Sequence, residues 1–438
     1  MKSIKERLNQ MGLFLPNILI PKQEIDLKKW AVVACDQYTS EKEYWKRVDK
    51  FVSNSPSTLR LIYPECYLGE KESKKRIDNI NKTMNEYMQM NIFDEYQDSF
   101  FLVKRDSENK TRWGLMVCLD LERYSWEKDS KSLIRATEGT ILSRIPPRKE
   151  IRKDAMLEIP HIMVLINDKE QTVIEPFKTQ TQKLKQIYKT DLMENGGTLS
   201  SWQINEDQDL EKITKAFEKL YNNLDDENPL LFAMGDGNHS FATAKSCWMD
   251  IRKNLSEEEI KNHPARFCLV ELENIYDQGL VFEPIHRVLF NINSNLFFDN
   301  LMNFCDGFEK VKIANVEKMM KKIENNKDSR QCFGICYNGD YNIVFLDKPK
   351  ASLVAGTLQF LIDSLIEGET TVDYTHGIEI TQTKGNEPNN IGLFLPGISK
   401  STFFDSIIKD GALPRKTFSM GNANEKRFYM ETRKIQKL

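Results

Sequence analysis

The most chemically suggestive stretch of the chain is Leu231-Phe232-Ala233-Met234-Gly235-Asp236-Gly237-Asn238-His239-Ser240-Phe241-Ala242-Thr243-Ala244. An apolar run with strand character enters a turn bracketed by Gly235 and Gly237, and an Ala-rich segment suited to a helix follows at once. Glycines without Cβ atoms let a ligand approach the backbone closely, and the first amides of the following helix have no acceptor within it. Such a turn is a ready anion site. Asp236 adds a carboxylate for a metal or a substrate proton, while His239 can donate to a phosphate or act as general acid or base. The same residues equally fit a structural turn, with Asp236-Gly237 reversing the chain and Asn238 or Ser240 capping the helix.

A second cluster lies upstream, in Arg135-Ala136-Thr137-Glu138-Gly139-Thr140 and the basic run Arg144, Arg148, Lys149, Arg152 and Lys153. Between Ile141 and Lys153 five cations face a single carboxylate, Glu150. Guanidinium groups grip phosphate in a planar fork, so arginines near a glycine turn suit a nucleotide or a phosphorylated substrate. A solvated loop around Pro146-Pro147 is the plain alternative. His239, His286 and His376 stand beside polar or charged neighbours, but no histidine pair has metal-ligand spacing, and no metal site is expected. There is no G-x-S-x-G elbow, no Walker A sequence and no G-x-G-x-x-G, so the familiar hydrolase, P-loop kinase and dehydrogenase signatures are missing.

The elements that must position these residues alternate along the whole chain. Ile77, Ile80, Met84, Tyr87 and Met88 recur at three- and four-residue spacing and predict an amphipathic helix, as do Leu210, Ile213, Phe217, Leu220, Tyr221 and Leu224. Ser99–Lys104 and Trp113–Leu121 read as strands of a long-looped hairpin around the polar stretch from Asp106 to Lys110. Gln331–Tyr337 and Tyr341–Leu346 read as a second hairpin around Asn338-Gly339-Asp340. Short strands are expected at Ile162–Ile166, Leu230–Met234 and Ala265–Leu272, and a helix around Leu353–Ile366. Hairpins mixed with helices fit an α+β fold with mixed or antiparallel sheets. Gly-Leu-Phe-Leu-Pro occurs twice, at Gly12–Pro16 and Gly392–Pro396, which is no repeat architecture.

Composition bounds the partners. With 62 Lys and Arg against 65 Asp and Glu, the net charge of −3 offers no bulk field for nucleic acid, and no helix carries a basic stripe for a groove. No apolar run approaches the ~20 residues of a membrane span, so neither nucleic acid nor membrane is an expected partner. The eight cysteines are scattered without a C-x-x-C pair, which favours buried thiols in reducing cytoplasm. The apolar N-terminal stretch Met11–Ile18 is broken by Pro16 and Asn17 and is not expected to be a signal peptide. No Gly-, Ser- or Pro-rich linker interrupts the chain, so residues 1–438 read as one family-wide unit with the phosphate motifs in a core at 130–290.

Several ordered blocks resemble one bacterial family, domain-of-unknown-function family 1015. Gly235 to Ala244 resembles its A-D-G-H-H-R-Y-x-T-A hallmark, and Arg135 to Thr140 its R-P-H-E-x-T. Pro284-Ile285-His286-Arg287-Val288 resembles its L-H-R-V, and Leu413-Pro414-Arg415-Lys416-Thr417-Phe418 its M-P-x-K-[ST] block. The segment from Trp30 to Tyr38, with Asp36, resembles its opening A-x-P-Y-D. The family's turn is similar to that of the ParB/sulfiredoxin-like superfamily, which includes partition proteins, sulfiredoxins and free serine kinases.

This resemblance implies a ParB/sulfiredoxin-like core in which Asp236, Gly237, His239 and nearby amides hold the phosphates of ATP or ADP, with Mg²⁺ as companion. Gly235, Asn238, Ser240, Thr140, Arg144, Arg148 and His286 complete the expected phosphate-binding set. Glu138 or Asp36 would deprotonate an acceptor hydroxyl or help hold Mg²⁺, and Arg135, Arg287 and Lys416 would neutralise charge in transit. The implied activity is nucleotide-dependent phosphoryl transfer to a small hydroxylated metabolite such as serine. The alternatives are a phosphatase of a compound such as phosphoserine and a non-catalytic nucleotide or metabolite sensor. Two departures stand out: Asn238-His239-Ser240 replaces H-H-R, and Thr137 replaces a histidine.

Overall fold

The strand Lys110–Asp120 sends Leu115, Val117 and Leu119 into one hydrophobic core and Met116 and Cys118 into another, because successive side chains leave a strand on opposite faces. The structure, a computed structural model, describes residues 2–108, 110–366, 369–414 and 416–436. Asn109 of the expected hairpin loop and Arg415 of the C-terminal block lie outside them. The chain divides into two units, Met1–Leu280 with Gly421–Leu438, and Val281–Met420.

The first unit is built on a ten-stranded mixed sheet. Its order is Lys185–Asp191, Thr198–Ile204, Phe100–Ser107, Lys110–Asp120, Phe267–Asn274, Met163–Ile166, Phe232–Asp236, Ile134–Arg135 and Tyr124–Ser125, with Leu13–Phe14 also on Lys110–Asp120. The first five strands pair antiparallel. Phe267–Asn274 is parallel to Met163–Ile166, which runs antiparallel to Phe232–Asp236, and the two last pairings are parallel. On one face the helices Asp207–Asn222 and Asn238–Arg252 bury Ile213, Phe217, Phe241 and Trp248. On the other, Lys42–Val52 and Ser73–Gln89 bury Trp45, Val48, Ile80 and Met84 beside Phe428, Tyr429 and Met430 of the C-terminal segment.

The first hairpin differs from its sequence-based expectation. Pairing continues to Ser107 opposite Lys110, so the loop is short. The polar residues extend the ladder, and the Thr111 hydroxyl donates to Asp106 Oδ1 at 2.7 Å across it.

The second unit carries an antiparallel six-stranded sheet in the order Gly307–Ile313, Asp340–Asp347, Gln331–Tyr337, Asn390–Phe394, His286–Phe290 and Thr371–Thr375. Its expected hairpin closes through Asn338 and Gly339, at φ of 50° and 81°, the left-handed pair that a two-residue type I′ turn requires. Helices Ser294–Leu301 and Val354–Leu365 cover one face and Val316–Glu324 the other. The two Gly-Leu-Phe-Leu-Pro segments each place Leu-Phe in a strand, Leu13–Phe14 and Leu393–Phe394. The fold is α+β, with a mixed sheet in one unit and an antiparallel sheet in the other. All eight cysteines are free thiols, seven buried and Cys35 half-buried. Among the described residues no helix is long and apolar enough to cross a membrane.

Candidate functional site

The pairing of Phe232–Asp236 with Met163–Ile166 slips at a bulge between Met234 and Asp236, where Gly235 sits, so that Asp236 faces Met163. Antiparallel register then sets Pro160-His161-Ile162 beside the turn that follows Asp236. Gly237 takes φ 79° and ψ 26°, and a Cβ there would meet Ile162 Cγ1 at 3.0 Å. Glycine is required twice over, by conformation and by space. The helix Asn238–Arg252 begins directly after it with no side-chain cap, which presents first-turn amides and the positive end of the helix dipole.

The upstream block is stitched to this turn. The Thr137 amide donates to Asn238 Oδ1 at 3.1 Å, the Thr137 hydroxyl to the Met234 carbonyl at 2.6 Å, and the Ile141 amide to His239 Nε2 at 3.2 Å. A nitrogen that accepts carries no proton, so His239 in this bond is neutral and protonated on Nδ1. Glu138 is half-buried within the stitched block, and the Thr140 hydroxyl lies beside that of Tyr124. Arg135 is turned to other work. It donates to the carbonyls of Ser132 at 2.9 Å and Pro229 at 2.6 Å and to Asn228 Oδ1 at 2.6 Å, and burial holds its pKa below the ordinary value.

Charge balance at the turn comes from the C-terminal segment. Lys426 Nζ lies 2.9 Å from Asp236 Oδ2, while Asp236 Oδ1 accepts the Gly237 amide at 2.8 Å. Burial pushes the Asp236 pKa up, but Lys426, the Gly237 amide and His161 together hold it below the ordinary value. Burial pulls Lys426 down, and Asp236 with the nearby Asp36 more than offset it, so the ammonium stays charged. Asp36 Oδ1 also accepts from Gln37 Nε2 at 3.0 Å. Arg427 pins the segment by donating to the Pro160 carbonyl at 3.0 Å and pairing with Glu271 and Glu431.

A further chain of contacts begins at Ser240. Its Oγ is 2.8 Å from His161 Nε2, His161 Nδ1 is 3.0 Å from the Tyr429 hydroxyl, and that hydroxyl accepts the Cys35 amide at 3.0 Å. Ser240, His161, Tyr429 and Cys35 line a cavity of about 150 Å³ whose other walls are mainly apolar, including Leu61, Ile62, Met84 and Ile159. Arg148, paired with Glu65 and donating to the Arg144 carbonyl at 2.9 Å, lines it too. The Arg144 side chain is exposed.

The remaining sequence-derived residues belong to the second unit. His286 Nδ1 accepts the Leu395 amide at 3.2 Å, and burial lowers its pKa to about 4. Arg287, fully buried with its pKa lowered to about 10 by desolvation, donates to the Ile285 carbonyl and, at 2.9 Å, to the Lys416 carbonyl. The Lys416 side chain is exposed. Among the described residues no three His, Cys, Asp or Glu side chains gather as metal ligands.

His161, Lys426 and Tyr429 do not follow from local motifs. His161 stands before a short buried strand, and only the pairing of that strand with Phe232–Asp236 brings it to the turn.

Residues 19–365 match the sequence profile of the family described as "Protein of unknown function (DUF1015)". The chain belongs to the DUF1015 family. No curated protein matches this DUF1015 chain. Similar solved structures include a conserved hypothetical protein from Pyrococcus furiosus, at 9% identity and a TM-score of 0.36, covering 73% of this chain and 95% of that one. A free serine kinase in complex with AMP is similar at 9% identity and a TM-score of 0.37, covering 73% and 91%. A mutant of a free serine kinase in complex with ADP is similar at 8% identity and a TM-score of 0.38, covering 75% and 94%.

Proposed function

We propose that this DUF1015 protein is a nucleotide-dependent phosphotransferase acting on a small hydroxylated metabolite, with an amino acid such as serine as acceptor. The observation that carries the reading is the uncapped helix Asn238–Arg252 starting from left-handed Gly237, with Lys426 beside it. Phosphate oxygens at the amides of Asn238, His239 and Ser240 meet fixed donors and the positive dipole end. Lys426, held by Asp236 and near Asp36, supplies positive charge, and His239 positions the block from Arg135 to Thr140 against the turn.

Phosphoryl transfer asks mainly for positioning and charge stabilisation. Glu138 or Asp36 takes the proton of the acceptor hydroxyl as its oxygen bonds to phosphorus, and the bond to the departing nucleotide breaks. With no ligand cluster among the described residues, Mg²⁺ would arrive on the nucleotide, held by phosphate and water with one or two of these carboxylates.

The test is incubation of the purified protein with Mg²⁺, ATP or ADP and a panel of amino acids and other hydroxylated metabolites, followed by ³¹P NMR. A new phosphate monoester supports the proposal. Release of inorganic phosphate from phosphoserine without nucleotide identifies a phosphatase instead, and nucleotide-dependent thermal stabilisation without turnover identifies a sensor. Absence of both transfer and nucleotide binding overturns it.

A further inference from the structure

Beyond phosphoryl transfer, we propose that Ser240 is a nucleophile activated by His161, and that it transfers short apolar acyl groups from carboxylic esters to water. A nucleophile within hydrogen-bond reach of a base that a third group orients is the recurring arrangement of covalent catalysis. Here it is Ser240 Oγ, His161 Nε2 at 2.8 Å, and the Tyr429 hydroxyl at 3.0 Å from Nδ1.

Tyr429 meets His161 at Nδ1, across the ring from the Ser240 contact at Nε2. Its oxygen also accepts the Cys35 amide at 3.0 Å. In the tautomer that activates Ser240, His161 Nδ1 donates to that oxygen and Nε2 accepts the Ser240 hydroxyl. Tyr429 is 1% exposed, so it holds the imidazole in a fixed orientation.

The cavity defines the substrate. At about 150 Å³ with mainly apolar walls, it matches a space that holds a benzene-sized molecule. An acyl chain of about four to six carbons fits that volume.

Ser240 passes its proton to His161 Nε2 while Oγ bonds to the acyl carbon. The ester C–O bond breaks, and the leaving alcohol takes the proton from Nε2. Water then gives a proton to His161 and attacks the acyl carbon. The C–Oγ bond breaks, Oγ recovers the proton, and the carboxylic acid leaves. First-turn amides of the helix stabilise the developing oxyanion.

The test is p-nitrophenyl butyrate hydrolysis by the full-length protein, with acid quenching and peptide mass spectrometry. The expected result is a butyryl adduct on Ser240, faster turnover of butyrate than of decanoate, and loss of about 10³-fold or more in kcat for Ser240→Ala and for His161→Gln. Tyr429 is a positioning residue, so Tyr429→Phe is expected to lower kcat by about tenfold and shift its pH profile with KM unchanged. Nucleotide binding measured on Tyr429→Phe, a residue the phosphoryl site does not use, separates this activity from that site. No adduct on Ser240 in the wild-type protein, or equal hydrolysis by a folded Ser240→Ala variant, overturns the proposal.

Discussion

Lys426 Nζ stands 2.9 Å from Asp236 Oδ2, so the glycine turn draws its balancing charge from the C-terminal segment. The pair is partly screened, with side chains 12% and 28% exposed. Lys426→Met is therefore expected to cost about 1–3 kcal/mol near neutral pH. The folded Asp236 pKa lies below its ordinary 3.8, so the folded state binds fewer protons there than the unfolded chain. That stabilisation is complete above the unfolded value and is lost as pH falls through the folded one. Acid unfolding followed by circular dichroism is expected to show the midpoint of Lys426→Met at higher pH than that of the wild type.

Arg427 is the anchor that makes this pairing possible. Its guanidinium is 1% exposed and faces Glu271 and Glu431, both buried. Arg427→Met removes the nearest cation from two buried carboxylates, leaving Glu271 only the more distant Arg112 at 4.0 Å, at a cost of about 3–5 kcal/mol. Urea titration measures the loss, and limited proteolysis is expected to cleave the segment carrying Lys426 and Tyr429 first.

Gly237 and Gly339 both have φ near 80°. A Cβ at 339 meets nothing within 4 Å, whereas one at 237 meets Ile162 at 3.0 Å. Gly339→Ala is expected to cost about 1 kcal/mol for backbone strain alone. Gly237→Ala is expected to cost about 1–3 kcal/mol more, because the packed strand gives little. Equal losses in parallel denaturant titrations would remove the steric contribution of Ile162.

His286 makes the second unit acid-sensitive. Its Nδ1 accepts the Leu395 amide, a bond available only to the neutral ring, and burial brings its pKa from 6.5 to about 4. The unfolded chain therefore takes up the proton first as pH falls. Stability is full above the unfolded pKa and declines as pH falls towards the folded one, by about 3 kcal/mol in all. His286→Asn keeps an acceptor without a proton to bind, and its unfolding free energy is expected to be flatter over that interval.

Local order in the chain made much of the fold legible. The apolar spacing from Ile77 to Met88 became the helix Ser73–Gln89 with Ile80 and Met84 buried, and Asn338-Gly339 marked its turn through backbone sterics alone. The strand, glycine turn and helix around Gly237 were readable for the same reason. Arg135 was not, because a guanidinium in a motif looks the same whether it meets a ligand or the carbonyls of Ser132 and Pro229. His161, Lys426 and Tyr429 were hidden because strand pairing and the return of the C-terminus bring them to the turn, and neither leaves a mark in nearby spacing.

Binding of nucleotide phosphate at the start of the helix Asn238–Arg252, the core of the proposed function, is measured by calorimetric titration of the wild type and of Asn238→Asp. The new carboxylate can still accept the Thr137 amide that Asn238 accepts, and a negative charge suits a helix N-terminus, so Tm is expected to hold or rise. The same charge repels phosphate. The wild-type protein is expected to bind ADP or ATP with Mg²⁺, and Asn238→Asp to weaken Kd by about tenfold or more, or about 1.4 kcal/mol. Equal affinity in the two proteins, or no nucleotide binding by the wild type, would contradict it.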